Sequence, residues 1–96
     1  MPRFAVTREH GEPWDDSRML REQEQWDEHA AFMDELVAEG FIVLGGPIGD
    51  GRRVLLIIDA ADEEEIDARL AEDVWTASGH LRTTGIERWE ILLAPS

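Results

Sequence analysis

Two short apolar runs, FIVLGGP (41–47) and RRVLLIID (52–59), constrain this chain more than any other feature. Between them stands IGDG, and Asp50-Gly51 is a hairpin signal because a tight turn needs residues that tolerate positive φ. The runs are therefore predicted to be adjacent antiparallel strands. Neither alternates. Residues 41–44 and 54–58 are apolar at every position, whereas a sheet with one wet face is apolar only at every second place. Both faces of this hairpin must be covered.

The rest of the chain supplies one cover. RFAVTR (3–8) puts Phe4 and Val6 on one side of a first strand. HGEPWDDSRM (10–19) follows, its turn formers predicting a surface loop that carries an exposed Trp14. A helix is expected from about residue 19 to 39, with Gly40 just beyond its end, where positive φ suits glycine. Asp62 and Glu65 resemble a capping box ahead of a shorter helix that reaches about residue 71. Asp73 opens VWTASG as the N-cap of one short turn, and Gly79 closes it. TTGIERWEILLA (83–94) reads as the last strand, with Glu87, Trp89, Ile91 and Leu93 on one face. This order predicts a single α+β domain over 1–96, a ferredoxin-like βαββαβ fold with both helices on one face of an antiparallel sheet. The other face is left bare, so a second copy packed sheet to sheet is expected, forming a homodimeric α+β barrel.

Composition narrows function by exclusion. A chain of 96 residues makes one domain with a thin core, and the absence of cysteine removes disulfides, zinc ribbons and thiol nucleophiles. The net charge is -13 and all 9 basic residues are arginine. There is thus no Schiff-base or Walker lysine, and no basic stripe for nucleic acid. No apolar run approaches the roughly 20 residues of a membrane span, and no signal-peptide core follows Met1, so no membrane association and a cytoplasmic location are expected. GGPIGDG precedes a strand and lacks a following lysine, which favours a hairpin over a phosphate loop. No G-x-S-x-G elbow occurs, and Ser17, Ser78 and Ser96 are read as having no base nearby in sequence, which argues against serine hydrolase chemistry. His10, His29 and His80 lack the spacing of a metal motif, so neither metal nor cofactor is expected.

His29 is the residue that stands out. At about 100° per residue it falls in the apolar stripe of the first helix beside Phe32, Met33 and Leu36, with Asp27, Ala31, Asp34 and Ala38 opposite. It is either a core histidine with a buried hydrogen bond or a side chain facing a pocket. A carboxylate such as Asp73, capping a helix through one oxygen, can accept an imidazole N–H through the other. Trp75 and Trp89 suit core packing or, beside a polar pocket, a ligand wall.

His29, Ala38-Glu39-Gly40, Leu44-Gly45-Gly46-Pro47, Gly51, Glu72-Asp73 with Trp75 and Gly79, and Trp89, taken in that order, resemble the YCII family from about residue 26 onward. The resemblance implies a ferredoxin-like fold, a dimeric α+β barrel and an active-site pocket holding a histidine and an aspartate, which map to His29 and Asp73. The family commonly carries Asp-Pro at the second site, whereas Asp73 here precedes Val74. Proline at a first helical position pre-sets φ, so Val74 is expected to loosen the turn slightly while leaving the cap. On this reading Asp73 orients His29 as a general acid or base in isomerase- or lyase-type proton transfer on a small organic molecule. Gly46 and Pro47 would form the pocket floor, with Trp75, Trp14 and Arg18 at its mouth. Arg18 is then either a clamp for a substrate carboxylate or a solvated loop residue. A non-catalytic ligand-binding or regulatory dimer using the same pocket is the alternative.

Overall fold

In the computed structural model, which describes residues 1–95, the two apolar runs pair as an antiparallel hairpin of β2 (Ile42–Ile48) and β3 (Arg53–Asp59). Gly49 and Gly51, at φ of 60° and 90°, make the turn in a conformation that side chains rarely adopt. The other edge of β3 pairs with β1 (Arg3–His10), which pairs in turn with β4 (Leu81–Arg88). The sheet runs β2-β3-β1-β4 and every pairing is antiparallel. Helices α1 (Trp26–Ala38) and α2 (Glu63–Leu70) follow the first and third strands, and the one-turn helix α3 (Val74–Ser78) leads into β4. This is the ferredoxin-like α+β arrangement.

Alternate residues of the strands meet the helices. Phe4 and Val6 of β1, Ile42 of β2, and Leu56 and Ile58 of β3 cluster with Leu36 of α1, Phe41, and Ile66 and Leu70 of α2, all buried. α1 ends in a Schellman turn: Gly40 takes φ 82°, Phe41 N–H donates to Leu36 O, and Gly40 N–H donates to Val37 O. Asp62 caps α2 by accepting from Glu65 N–H at 2.9 Å. The Glu65 carboxylate accepts from Ala61 N–H at 2.7 Å rather than from the Asp62 amide, one residue away from a true capping box.

Three expectations change. The long helix over 19–39 is broken into a 3₁₀ turn at Leu20–Glu22 and α1, with Gln25 between them at φ 62°. The cause is Gln23, 4% exposed, whose amide donates to Asp15 O at 2.7 Å and Arg18 O at 3.1 Å and accepts from Asp15 N–H at 3.0 Å. Those bonds stitch the preceding loop shut at the cost of helical continuity. Trp14 in that loop is half-buried rather than exposed, its ring stacked on His10 at 3.6 Å. The last strand ends at Arg88, because β1 begins at Arg3: Trp89 N–H donates to Arg3 O at 2.8 Å, and residues 89–95 have no strand left to pair with. Trp89, Ile91 and Leu93 therefore do not share a strand face, and all three are exposed. Ser96 lies outside the described residues.

The face away from the helices carries Ala5 of β1, Leu44 of β2, and Leu55 and Ile57 of β3. Trp89 joins Ala5, Leu55 and Ile57 around a shallow depression of about 240 Å³. Leu44 stays 61% exposed. No helix among the described residues is long and apolar enough to cross a membrane.

Candidate active site

The link from α2 to α3 is three residues long, and it sets Asp73 as the N-cap of α3, where one carboxylate oxygen accepts from Trp75 N–H at 3.1 Å. The cap lies beneath the polar position in the apolar stripe of α1. His29 Nδ1 is 2.9 Å from both oxygens of Asp73. From β1, Arg8 donates through Nη1 to Asp73 Oδ2 at 3.1 Å and through Nη2 to Thr76 Oγ1. The Arg8 and Asp73 side chains are fully buried and that of His29 is 10% exposed. Burial pushes the Asp73 carboxyl up, but His29, the Trp75 amide and Arg8 together outweigh it and hold the group below the ordinary carboxylate value. Burial pulls the Arg8 guanidinium down and Asp73 restores part of that loss, and it remains a cation at any neutral pH.

His29 lines a cavity of about 730 Å³, and with Nδ1 held by Asp73 the ring nitrogen left for a ligand is Nε2. Three indoles, Trp14, Trp26 and Trp75, share that lining. The Trp75 ring stacks on His29 at 3.9 Å and on His80 at 5.8 Å, while its Nε1–H donates to Glu24 O at 2.7 Å, so a buried indole keeps its polar end satisfied. Trp14 meets the edge of Trp75 at 5.2 Å.

His29, Trp75 and Trp14 come together on one cavity wall, whereas Asp73 stands behind His29 and does not face the cavity. Gly46 and Pro47 line the same cavity, together with Gly45. At Gly45 a Cβ would sit 2.5 Å from Leu56 Cδ2, while at Gly46 it would meet nothing within 4 Å. Gly45 is thus where the missing side chain matters. Arg18 reaches the cavity lining with its side chain 51% exposed and 3.5 Å from Asp15. Trp89 is on the other face of the sheet.

Arg8 went unread in the sequence, though a signal was present: it continues the inward alternation of Phe4 and Val6, so it had to enter the core and find a carboxylate there. Ser78 needs correction too. Its Oγ is 2.6 Å from Nδ1 of His80, two residues on, so a base is nearby after all. That pair closes the C-terminal turn of α3, with Ser78 Oγ also donating to Trp75 O at 3.3 Å, and neither residue lines the cavity.

Comparison with curated proteins gives no match. Among solved structures, the chain is similar to a 5-chloro-2-hydroxyhydroquinone dehydrochlorinase from Burkholderia phenoliruptrix AC1100, solved in complex with 2,5-dihydroxybenzoquinone. The TM-score is 0.61 at 25% identity, over 92% of this chain and 93% of that one. The YCII-related domain is matched over residues 7–90, and the chain belongs to that family.

Proposed function

We propose that the protein is a small-molecule enzyme in which His29, oriented by Asp73, moves a proton to or from an organic substrate held in the cavity. The observation that carries this reading is the 2.9 Å approach of both Asp73 oxygens to Nδ1 of a histidine lining a cavity of about 730 Å³. A carboxylate behind an imidazole fixes its tautomer and leaves the other nitrogen to exchange a proton. The similar dehydrochlorinase binds 2,5-dihydroxybenzoquinone, a planar oxygenated ring, and the indoles of Trp14, Trp26 and Trp75 offer flat apolar surface to such a ring. Elimination and tautomerisation on rings of this kind proceed by proton movement and need no protein nucleophile. On this reading Gly46 and Pro47 form the floor, and Arg18 at the mouth meets an acidic substituent. The exposed Leu44 and the apolar row of Ala5, Leu55 and Ile57 behind it support a homodimer packed through that sheet face.

The test is turnover of 5-chloro-2-hydroxyhydroquinone and a panel of hydroxylated rings and quinones, followed by ultraviolet spectra and halide release. His29→Gln is expected to lower turnover by at least about 10²-fold with unchanged circular dichroism. Turnover that survives His29→Gln would move catalysis elsewhere. Binding of 2,5-dihydroxybenzoquinone with no turnover of any panel member would make the protein a binding module instead.

A further inference from the structure

We infer that Arg8 is a positioning residue which, by sharing Asp73 with His29, keeps the imidazole neutral at rest, so that the reaction begins by taking a proton from the substrate. The substrate is then an O–H or C–H acid: a phenol, an enol, or a carbon acid next to a carbonyl. This rests on the reading of His29 as the proton-transfer group and adds the direction in which the proton first moves.

The starting point is charge in a buried cluster. Asp73 supplies one negative charge, and the Arg8 guanidinium at 3.1 Å already balances it. With His29 neutral, the three side chains sum to zero. With His29 protonated they would sum to +1 in a site where the Arg8 and Asp73 side chains have no solvent exposure, and burial disfavours unbalanced charge. An ionised carboxylate only accepts, so neutral His29 must place its proton on Nδ1 facing Asp73, and the lone pair is then on Nε2. A histidine paired with aspartate alone would instead favour the imidazolium. Arg8 reverses that balance, and Thr76 Oγ1 holds its other amino group so that the guanidinium cannot swing away.

The remaining charged groups do not restore it. Arg18 in the loop and Arg52 on the hairpin line the same cavity and add positive charge, while burial pulls the His10 imidazole on β1 below its ordinary value and leaves it uncharged at pH 7. Asp16 and Asp50 line it as well, but both are engaged by Arg52: Asp16 lies 3.5 Å from its guanidinium, and Asp50 accepts from its backbone N–H at 3.0 Å. On α1 itself Glu28 is exposed and bonded to Gln25. His80 is separated from His29 by the Trp75 ring.

The step balances. The electron pair of the substrate O–H or C–H bond stays on the substrate, the proton goes to His29 Nε2, and the imidazolium stands between Asp73 and the new anion. Total charge in the site is unchanged, and the proton later returns to the product, to a leaving group or to water.

The test is ¹⁵N spectroscopy of the His29 ring in the wild-type protein and in Arg8→Lys and Arg8→Met, which needs no substrate. Its outcome is therefore independent of the turnover screen. In wild type at pH 7 the expected state is Nδ1 protonated and Nε2 bare. In Arg8→Met the His29 titration is expected to move up by about one pH unit or more, and Arg8→Lys, which keeps the charge, should hold it near wild type. A doubly protonated wild-type ring at pH 7 overturns the inference. So does a folded Arg8→Met with an unmoved titration, or an Arg8→Lys that titrates well above wild type. Should Arg8→Met fail to fold, the wild-type tautomer and Arg8→Lys still decide.

Discussion

Replacing Asp73 by asparagine keeps the outline of the side chain but removes the charge against which Arg8 is buried. Asparagine caps a helix about as well as aspartate, so the bond from Trp75 N–H, 3.1 Å in the native protein, survives at little cost. The penalty falls on the ion pair. Arg8 has no solvent exposure, and breaking a buried pair by neutralising one partner costs about 3–5 kcal/mol, since the other charge is left uncompensated. A domain of this length has a total stability of about 5–14 kcal/mol, so the variant would lose a large share of it. Urea unfolding followed by tryptophan fluorescence reads the loss; with a slope of about 1–1.5 kcal/mol per molar, the midpoint should fall by about 2–5 M. Arg8→Met placed on top removes the stranded charge, so the double variant should recover at least about 2 kcal/mol relative to additive losses. A loss below about 1 kcal/mol for Asp73→Asn, or strict additivity in the double variant, would refute the account of Arg8 and Asp73 as a coupled buried pair.

Acid should act through the same carboxylate. Its value is lowered in the folded state, so its contribution is fully present above about pH 4 and is lost as pH falls through the folded value; melting temperature should drop there more steeply in wild type than in Asp73→Asn. Gly45→Ala should cost about 1–3 kcal/mol, because its Cβ would meet Leu56 Cδ2 at 2.5 Å and Leu55 O at 3.1 Å, whereas Gly46→Ala should stay within about 0.5 kcal/mol. Chemical denaturation of the two variants side by side checks this, and equal losses would contradict it. Sedimentation of wild type at micromolar concentration should show a dimer that Leu44→Glu dissociates; a folded wild-type monomer would remove the sheet-to-sheet interface.

The parts legible in the sequence are those decided by neighbours along the chain. The hairpin, the Gly40 and Gly79 helix ends, the caps at Asp62 and Asp73 and the order of elements all follow from periodicity and turn chemistry within about ten residues. Where a distant group intervened, local reading failed. Helical periodicity ran through Gln23, but the backbone of Asp15 and Arg18 claimed its amide and broke the helix. Strand alternation ran on past Arg88, but pairing with β1 stops at the strand's first residue, where Arg3 O accepts from Trp89 N–H.

His29 shows the same boundary within one side chain. The sequence by itself determined that an imidazole sits in the apolar stripe of a helix and that a capping aspartate follows 44 residues later. Only tertiary structure decided that both oxygens of that aspartate reach Nδ1, that the cavity lies beside the ring, and that Arg8, 65 residues before Asp73, joins them. The physical reason is that a helical angle or a cap is set by local dihedrals, while the partner of a buried charge is set by which strand and which turn the packed core brings together.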